Sequence, residues 1–286
     1  MKTVLVAEGG GMRGIFGAGV LDAFHLAGFD PFDMYVGVSA GACNLSSFIA
    51  GQFERNYRLY TNIMVRPDFI SWKKFLRGGH FMDLDWFWDT FKQEDPMDLK
   101  AAINHMQNKT FLVVCTVLAT GQAVYLEPTA ENWLDLLKAS CAIPLLYRSS
   151  RHINGETLLD GGVVDPIPVA EAYRRGARKI VVIRSQPAAY VKKSSWEARI
   201  VSLFFHRQTN FVDAIQKRAE RYMQAIKFMN QPPKDATIIQ VIPPHTLQTR
   251  RTSQDLDALK ADYAMGLKQG ELAMARFQGQ DANSSD

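Results

Sequence analysis

The sequence predicts an α/β fold in which helices cover both faces of a mostly parallel sheet. Short apolar runs rich in β-branched residues recur along the chain, and helical stretches lie between them. Several of these runs are apolar at nearly every position, which is typical of strands buried on both faces. The predicted strands are TVLVAE (3–8), MYVGVS (34–39), FLVVCTVLA (111–119), AVYLE (123–127), KIVVIR (179–184) and ATIIQVI (236–242).

The stretches between these strands have the spacing of helices. Residues 14–28 carry apolar side chains at near-helical intervals, and Gly28 is typical of a residue that ends a helix. A second helix is expected over residues 40–51, and residues 169–184 predict a helix, a glycine stop and a strand. Residues 196–229 predict a long helical stretch with several basic residues. This alternation predicts a three-layer α/β/α architecture.

The composition is that of an ordinary globular protein. Apolar residues make up 47% of the 286, and the net charge of +4 is spread along the chain. The dense basic stripe typical of nucleic-acid binding is missing. No apolar segment approaches the ~20 residues of a membrane span. We therefore expect a soluble protein with no nucleic-acid partner, which at most contacts a membrane surface peripherally.

The cysteines indicate the compartment. Cys43, Cys115 and Cys141 are odd in number and far apart, so they predict neither a disulfide framework nor a metal-binding pair. A reducing compartment follows, and we expect a cytoplasmic protein. The apolar run at the N-terminus is interrupted at Glu8, too early for a secretory signal.

A glycine loop, EGGGMRG (8–14), follows the first predicted strand. Gly9, Gly11 and Gly14 fit the G-x-G-x-x-G spacing of a dinucleotide-binding turn, and the loop lies between a strand and a helix. That fingerprint also needs an acidic residue at the end of the second strand, to bind the ribose hydroxyls. Here the second strand ends at Ser39 instead. A nucleotide-binding module is therefore an alternative that lacks its acidic residue.

The second strand leads into GVSAG (37–41), which fits the G-x-S-x-G motif. In such a nucleophile elbow the serine lies on a sharp turn between a strand and a helix. Gly37 and Gly41 leave room for that turn around Ser39. The positive end of the following helix also points at the serine, which favours a developing anion.

Acyl transfer requires hydrogen-bond donors for the oxyanion, and the glycine loop can supply them. The N–H groups of Gly10, Gly11 and Met12 can converge because no side chains crowd them. Both loops leave the carboxyl ends of successive predicted strands, where open α/β sheets form their sites. We expect the first loop to stabilise negative charge beside Ser39.

One hypothesis for the base that activates Ser39 is a conventional Ser-His-Asp esterase. Asp160 with either His206 or His245 satisfies its order along the chain. Such hydrolases build several strands before the elbow, whereas one strand and one helix precede Ser39 here.

A second hypothesis uses Asp160 alone, in LLDGGVVDPIPV (158–169). Gly161 and Gly162 let the backbone turn closely beneath a reacting group. An aspartate can act as a general base without histidine when burial raises its pKa. The structural alternative for this segment is an Asp-Gly hairpin turn.

Four blocks in this order resemble the patatin-like phospholipase family. They are GGGMRG (9–14), similar to its oxyanion loop, GVSAG (37–41), similar to its nucleophile elbow, SCAIP (140–144), similar to its small-residue block, and DGG (160–162), similar to its Asp-Gly-Gly block. The resemblance covers residues 2–184. It implies a patatin-like fold and a Ser–Asp dyad in which Ser39 attacks an acyl ester and Asp160 accepts its proton and then activates water.

The resemblance also implies the reaction class. It predicts a serine acyl hydrolase that acts on fatty-acyl esters of lipids, such as phospholipids or lysophospholipids, without a metal or other cofactor. Arg13 falls where the family carries a basic residue in the oxyanion loop, and it either steadies the loop or meets a lipid phosphate. A catalytically silent lipid-binding protein is the remaining alternative.

The blocks suggest how the chain is divided. Residues 1–185 are predicted to form the catalytic core, and residues 186–286 to complete or cap the same domain with helices and one strand. The aromatic segment 66–98 and the basic stretch 196–229 are candidates for a lid or a membrane-facing surface. Ordinary core packing is the alternative for both.

Overall fold

The described chain forms one mixed sheet. The computed structural model describes residues 1–192 and 196–279, with the backbone alone for residues 196–199. Parts of the predicted C-terminal region, residues 193–195 and 280–286, lie outside this description. The strands in the described residues are β1 (Lys2–Ala7), β2 (Met34–Val38), β3 (Thr110–Val117), β4 (Ala123–Leu126), β5 (Arg151–Ile153), β6 (Glu156–Asp160), β7 (Ala177–Ile183) and β8 (Thr237–Val241).

The sheet is mostly parallel. Its strand order is β5-β6-β3-β2-β1-β7-β8, with β4 also paired to β3. The neighbours from β3 to β8 run parallel, whereas β4, β5 and β6 form the antiparallel pairs. The predicted fold class is confirmed, and each predicted strand is present.

The helices occupy the stretches between the strands. They are α1 (Gly14–Leu26), α2 (Ala40–Ile49), α3 (Arg55–Arg58), α4 (Trp72–Leu76), α5 (Leu84–Glu94), α6 (Leu99–His105), α7 (Trp133–Ser140), α8 (Val169–Arg174), α9 (Trp196–Phe204), α10 (Thr209–Gln216), α11 (Arg218–Asn230) and α12 (Leu256–Phe277). Helix α3 continues as a π-helical turn, Leu59–Ile63. None of the helices in the described ranges is both long enough and apolar enough to cross a membrane.

Alternate residues of the central strands enter two separate cores. Leu5 of β1 packs into the first core with residues of α1, α2, α7 and α12, while its neighbours Val4 and Val6 pack into a second core with α8 and α11. Because successive side chains of a strand point to opposite faces, helices cover both faces of the sheet. The predicted three-layer arrangement is therefore confirmed.

The predicted helical stretch over residues 196–229 is broken into the three helices α9, α10 and α11. The break has a packing reason, since Phe211 of α10 is buried in the first core and Ile226 of α11 in the second. One straight helix would not reach both cores. The stretch is therefore helical, as predicted, but it consists of three helices.

The aromatic segment 66–98 packs mainly into the interior. Phe87 and Trp88 of α5 are buried, as are Phe69 and Phe81. Trp72 of α4 differs, with 66% of its surface exposed. Core packing, the plainer of the two interpretations, accounts for most of this segment.

Helix α12 lies against α1 with almost no side-chain volume between them. A Cβ atom on Gly266 would lie 2.1 Å from the carbonyl oxygen of Phe16, and one on Gly19 would lie 2.2 Å from that of Tyr263. Only glycine permits such an approach of two backbones. This contact joins the C-terminal part of the chain to the helix that follows the glycine loop.

Candidate active site

Two strand ends meet on the same side of β3. Val38, the last residue of β2, pairs with Val114 of β3, and Asp160, the last residue of β6, pairs with the next residue, Cys115. Strand β4 pairs with Val114 and Cys115 along the opposite edge of β3, so β2 and β6 must lie along the same edge. Strand β2 runs parallel to β3 and β6 runs antiparallel to it, so their carboxyl ends approach each other. The topology thus brings Ser39 beside Asp160.

Ser39 lies on a strained turn between β2 and α2. Its φ of 52° and ψ of −126° are unusual for a residue with a side chain. The backbone N–H of Ser39 donates to the Ser140 hydroxyl at 2.8 Å, and that hydroxyl donates to the carbonyl of Val114 at 2.7 Å. Both hydrogen bonds are buried and hold the turn in place.

The glycines on either side of Ser39 lie in crowded positions. A Cβ on Gly41 would lie 2.4 Å from the carbonyl oxygen of Ala7, and one on Gly37 would lie 2.5 Å from the Cα of Ala42. The close approach of α2 to the end of β1 therefore requires glycine at position 41.

Asp160 is buried at the end of β6. Thr116 donates to its backbone carbonyl at 2.7 Å, and the Gly162 N–H donates to its Oδ1 at 2.7 Å. Burial raises the pKa of this carboxyl, and the Arg218 charge together with hydrogen bonds from Gly162 and the Ser39 hydroxyl partly offsets that rise. The result is a carboxylate that binds protons more readily than an exposed aspartate.

The chain beyond Asp160 does not turn back as a hairpin. Residues Gly161–Val163 form a 3-10 turn and lead on toward α8. Gly161 packs against Val114 of β3. The Asp-Gly hairpin interpretation is therefore wrong.

The glycine loop faces these residues. Gly9, Gly10 and Gly11 line the same pocket as Ser39 and Asp160. A Cβ on Gly9 would lie 3.0 Å from the Cβ of Ser39, so the loop passes directly over the turn. Within residues 1–192 and 196–279, no backbone or side-chain acceptor is found for the N–H groups of Gly10 and Gly11.

Met12 does not fit its predicted part in the loop. Its N–H donates to the carbonyl of Arg251 at 3.0 Å, and its side chain is fully buried. In the 3-10 turn Gly11–Arg13, this amide points toward the segment around Arg251 and is already hydrogen-bonded there. The expectation that the Met12 amide joins those of Gly10 and Gly11 is therefore wrong. Gly14 begins α1, and its carbonyl accepts a hydrogen bond from the Asn44 side chain at 2.7 Å.

Arg13 lies at the edge of the pocket and is anchored from behind. With the Gln186 amide oxygen turned toward it, both terminal guanidinium nitrogens donate to that oxygen, at 2.7 and 3.2 Å. Burial and the charge of Arg251 lower the pKa of Arg13, whereas Glu8 raises it. These contacts favour a role in steadying the loop.

The pocket has a volume of about 60 Å³ and is lined by both polar and apolar groups. Its basic and acidic lining residues, beyond those in the motifs, are Glu8, Lys192, Arg218 and Arg251. None of these four was expected in the site from the sequence. Glu8 directly precedes the first glycine block, and nothing local distinguishes the three basic residues from the other cations of the chain.

The histidines lie elsewhere. His206 and His245 are exposed, and none of the six histidines lines the pocket. The structure therefore does not bring together the Ser-His-Asp arrangement of a conventional esterase.

One cluster of potential metal ligands occurs in the described residues, at His80, Asp83 and Asp85. It lies apart from the pocket. Asp85 forms an ion pair with Lys138 and accepts hydrogen bonds from Tyr147, and Asp83 forms an ion pair with Lys74. The protein's own cations therefore already neutralise both carboxylates. The expectation of a reaction without metal or cofactor stays a prediction.

Two family models match the chain. Residues 5–173 match a model described as patatin-like phospholipase. Residues 208–280 match a second model, described as a domain of unknown function (DUF6363). The first match contains all four sequence blocks, and the second covers α10, α11, β8 and α12.

The chain is similar to several known proteins. It is 36% identical to the uncharacterized protein YjjU of Escherichia coli (strain K12) over 276 residues, 96% of this chain and 77% of that protein. It is 25% identical to lysophospholipase NTE1 of Meyerozyma guilliermondii over 204 residues, 63% of this chain but 12% of that protein. The crystal structure of VipD from Legionella pneumophila matches with a TM-score of 0.50 at 14% identity, covering 96% of this chain and 67% of that chain. At that identity the likeness to VipD concerns the fold alone.

Proposed function

Since this chain belongs to the patatin-like phospholipase family and is a lipid-hydrolysing enzyme, we propose that it cleaves fatty-acyl esters of phospholipids or lysophospholipids with Ser39 as nucleophile and Asp160 as base. The observation that carries this proposal is the approach of the two residues at the meeting strand ends, in one pocket beneath the glycine loop. The name of the similar lysophospholipase supports the choice of substrate class.

In the first step, the Ser39 oxygen attacks the acyl carbon while Asp160 takes the hydroxyl proton. The carbonyl oxygen becomes an oxyanion, and the N–H groups of Gly10 and Gly11 donate to it. Such donors are most effective in a site that excludes water and is already organised. The positive end of α2 adds to this stabilisation. When the tetrahedral intermediate collapses, the leaving alcohol takes the proton from Asp160 and the acyl group stays on Ser39.

In the second step, Asp160 removes a proton from water, which attacks the acyl-enzyme. The second tetrahedral intermediate expels the Ser39 oxygen, which regains its proton from Asp160, and the fatty acid is released. The same carboxyl therefore acts alternately as base and acid. Its burial suits it for both tasks, because a raised pKa brings it closer to the working pH.

The test of this mechanism removes each group separately. We expect Ser39→Ala and Asp160→Asn each to reduce the release of fatty acid by a factor of at least ~10³, with circular dichroism and thermal unfolding close to the unaltered protein. A fluorophosphonate should label Ser39 in the unaltered chain. The matched control is Ser46→Ala, which removes another buried serine, in α2. Ser39 should still be labelled in this variant.

Turnover near the normal rate in Ser39→Ala would contradict the nucleophile assignment. His206→Ala and His245→Ala serve as the rival test, since a Ser-His-Asp esterase loses its rate without one of them. We expect both histidine variants to retain full activity.

We further infer that the enzyme contacts membranes peripherally through α4. Trp72 and Leu76 on this helix are 66% and 82% exposed, and the exposed Lys73 and Arg77 flank them. Apolar and basic side chains together are typical of helices that bind anionic membrane surfaces. A cytoplasmic location stays a prediction.

Helix α4 is also tied to the pocket side of the molecule. The Arg148 guanidinium lies 4.5 Å from the centre of the Phe75 ring and donates to the Phe75 carbonyl at 3.3 Å. The chain reaches Arg148 directly from Ile143 and Pro144, which line the pocket.

Sedimentation with vesicles that contain phosphatidylglycerol tests the membrane contact. We expect the double variant Trp72→Ser and Leu76→Ser to bind several-fold more weakly, since both apolar side chains are lost. Leu26→Ser removes an equally exposed leucine from the end of α1 and should bind like the unaltered chain. Equal binding by the double variant would exclude α4 as the contact.

A further inference from the structure

The pocket is lined by an excess of positive charge. Four basic side chains and two acidic ones line it among the described residues: Arg13, Lys192, Arg218 and Arg251, with Glu8 and Asp160. Hydrolysis of a neutral ester requires no such surplus of cations. Arg13 comes from the glycine loop, whereas the other three cations come from beyond residue 185, outside the matched catalytic family region.

Lys192 and Arg251 form no ion pair within the described residues. The Lys192 Nζ lies 5.0 Å from the centre of the Tyr222 ring. Burial and the charges of Arg218 and Arg251 lower the pKa of Lys192 to about 7, although Glu8 opposes this effect. Cations that crowd one another away from water are destabilising until an anion joins them.

Arg251 is fixed to the glycine loop. Its carbonyl accepts the Met12 N–H at 3.0 Å, and its Cγ lies 2.9 Å from where a Cβ on Gly11 would be. Gly11 has a φ of +58° and no side chain, so Arg251 can pack directly on the loop. The Arg251 side chain therefore begins beside the proposed oxyanion site.

Arg218 is fixed to the opposite loop. Its Nε donates to the Gly162 carbonyl at 2.7 Å, two residues after Asp160. The pocket thus has a cation anchored on each of the two loops, and the charges of both act on Lys192. This arrangement suits a substrate that carries negative charge a few bonds from its ester carbonyl.

We propose that Lys192, Arg218 and Arg251 bind an anionic phosphate group next to the scissile ester, so that the enzyme prefers lipids with a net negative headgroup. This inference rests on the proposed function and narrows its substrate class. Guanidinium groups donate two parallel hydrogen bonds to a phosphate, and an ammonium adds a compact charge. Zwitterionic choline headgroups meet the same cations with their own positive charge, and neutral glycerides offer them no anion.

On this proposal, the C-terminal region takes part in binding the substrate. Arg218 and Arg251 both lie in residues 208–280, the region that matches a domain of unknown function. That region would then contribute headgroup selectivity to a reaction whose proposed nucleophile and base lie in the first 173 residues.

Three monoacyl substrates with the same acyl chain test the inference: lysophosphatidic acid, lysophosphatidylcholine and monoacylglycerol. We expect kcat/KM to be highest for lysophosphatidic acid and at least ~30-fold lower for monoacylglycerol. Lys192→Gln and Arg251→Gln should each reduce this ratio at least ~10-fold, mainly through KM for the anionic substrate. Arg207→Gln, which removes an exposed cation next to that region and outside the pocket, should leave the ratio unchanged.

A ratio near one in the unaltered enzyme, or an unaltered ratio in both glutamine variants with normal thermal midpoints, would overturn the inference. Inorganic phosphate separates a headgroup site from a site for free phosphate. We expect it to compete with lysophosphatidic acid. If it instead activates hydrolysis of monoacylglycerol while the three lipids react equally, the cations serve an effector and the inference fails.

The same experiments separate this inference from the proposed function. If a fluorophosphonate fails to label Ser39 and none of the three lipids is hydrolysed, the proposed function itself is wrong. If Ser39 is labelled and the lipids are hydrolysed without preference, the hydrolase stands and only the headgroup site is lost.

Discussion

Ser140 fixes the backbone on which Ser39 lies. Its hydroxyl accepts from the Ser39 N–H and donates to Val114 of β3, so one buried side chain ties the turn to the sheet. Such a contact holds a strained residue that would otherwise relax. The sequence alone assigns no role to Ser140 within its small-residue block. Its hydrogen bond joins residues 101 positions apart, and such a contact leaves no local pattern.

At the same scale, the proposed role of Asp160 as base leads us to expect that its protonation sets how activity depends on pH. A base must be ionised, so kcat/KM should fall as the pH falls through the pKa of Asp160. Burial raises that pKa, so the loss begins at a higher pH than for an exposed aspartate. The Arg218 charge lowers the pKa, and Arg218→Gln should therefore shift the acid limb to higher pH.

The profile is measured on an uncharged short-chain ester, which keeps headgroup binding out of the result. Arg207→Gln is the control for loss of a positive charge away from the pocket. An acid limb that stays in place or moves to lower pH in Arg218→Gln would contradict the assignment of Asp160 as base.

At the scale of elements, the site depends on two strands that share one side of β3. Strands β2 and β6 both end at neighbouring residues of β3, Val114 and Cys115, and this register brings the two motif residues together. The strands with consecutive apolar residues could be predicted from sequence, as could α1 and α2. Strand β5 has three residues, none of them buried, so it carries no such signal. The register between β3 and β6 depends on packing between distant segments, which no local pattern contains.

The contact between α1 and α12 predicts whether Gly266→Ala raises or lowers the free energy of unfolding. Helix propensity alone makes Gly266→Ala stabilising by about 1 kcal/mol. The added Cβ, however, would lie 2.1 Å from the Phe16 carbonyl, so the helices must separate. We expect the variant to lose about 3 kcal/mol of unfolding free energy, measured by urea denaturation.

Lys268→Ala is the control on the exposed side of α12. It should change the free energy of unfolding by less than about 0.5 kcal/mol. A Gly266→Ala protein more stable than the unaltered chain would mean that α12 does not lie so close to α1.

At the scale of the whole molecule, we propose that residues 186–286 complete the domain that residues 1–185 begin. Strand β8 extends the sheet beside β7, and Leu259 of α12 shares the first core with Ile15 of α1. Because both regions contribute to both cores, they should unfold together.

Scanning calorimetry checks this proposal. We expect one transition whose calorimetric and van't Hoff enthalpies agree, and whose midpoint falls in Gly266→Ala. Two separate transitions, with one of them insensitive to Gly266→Ala, would indicate two independent domains.

The family resemblance inferred from four short motifs is confirmed by the family model. The motifs could be recognised from sequence because each of them is a local pattern. The basic lining of the pocket could not be predicted in the same way. Lys192, Arg218 and Arg251 lie outside the motifs, and they join the site only through the fold of the C-terminal region. Functional residues within one short motif can be predicted from sequence. A pocket lining assembled from distant segments can be identified only from the tertiary structure.

The position of β1 at the centre of the sheet has a consequence for the order of events during synthesis. Strand β1 pairs with β2 and with the later strand β7. The Met12 amide, which follows β1, donates to the carbonyl of Arg251, a residue that is synthesised much later. Ribosomes add roughly 5–20 residues each second, so Arg251 emerges many seconds after Ser39. During that interval the nascent chain carries Ser39 without a finished pocket. We expect nascent chains stalled before Arg251 has emerged to show no lipid hydrolysis.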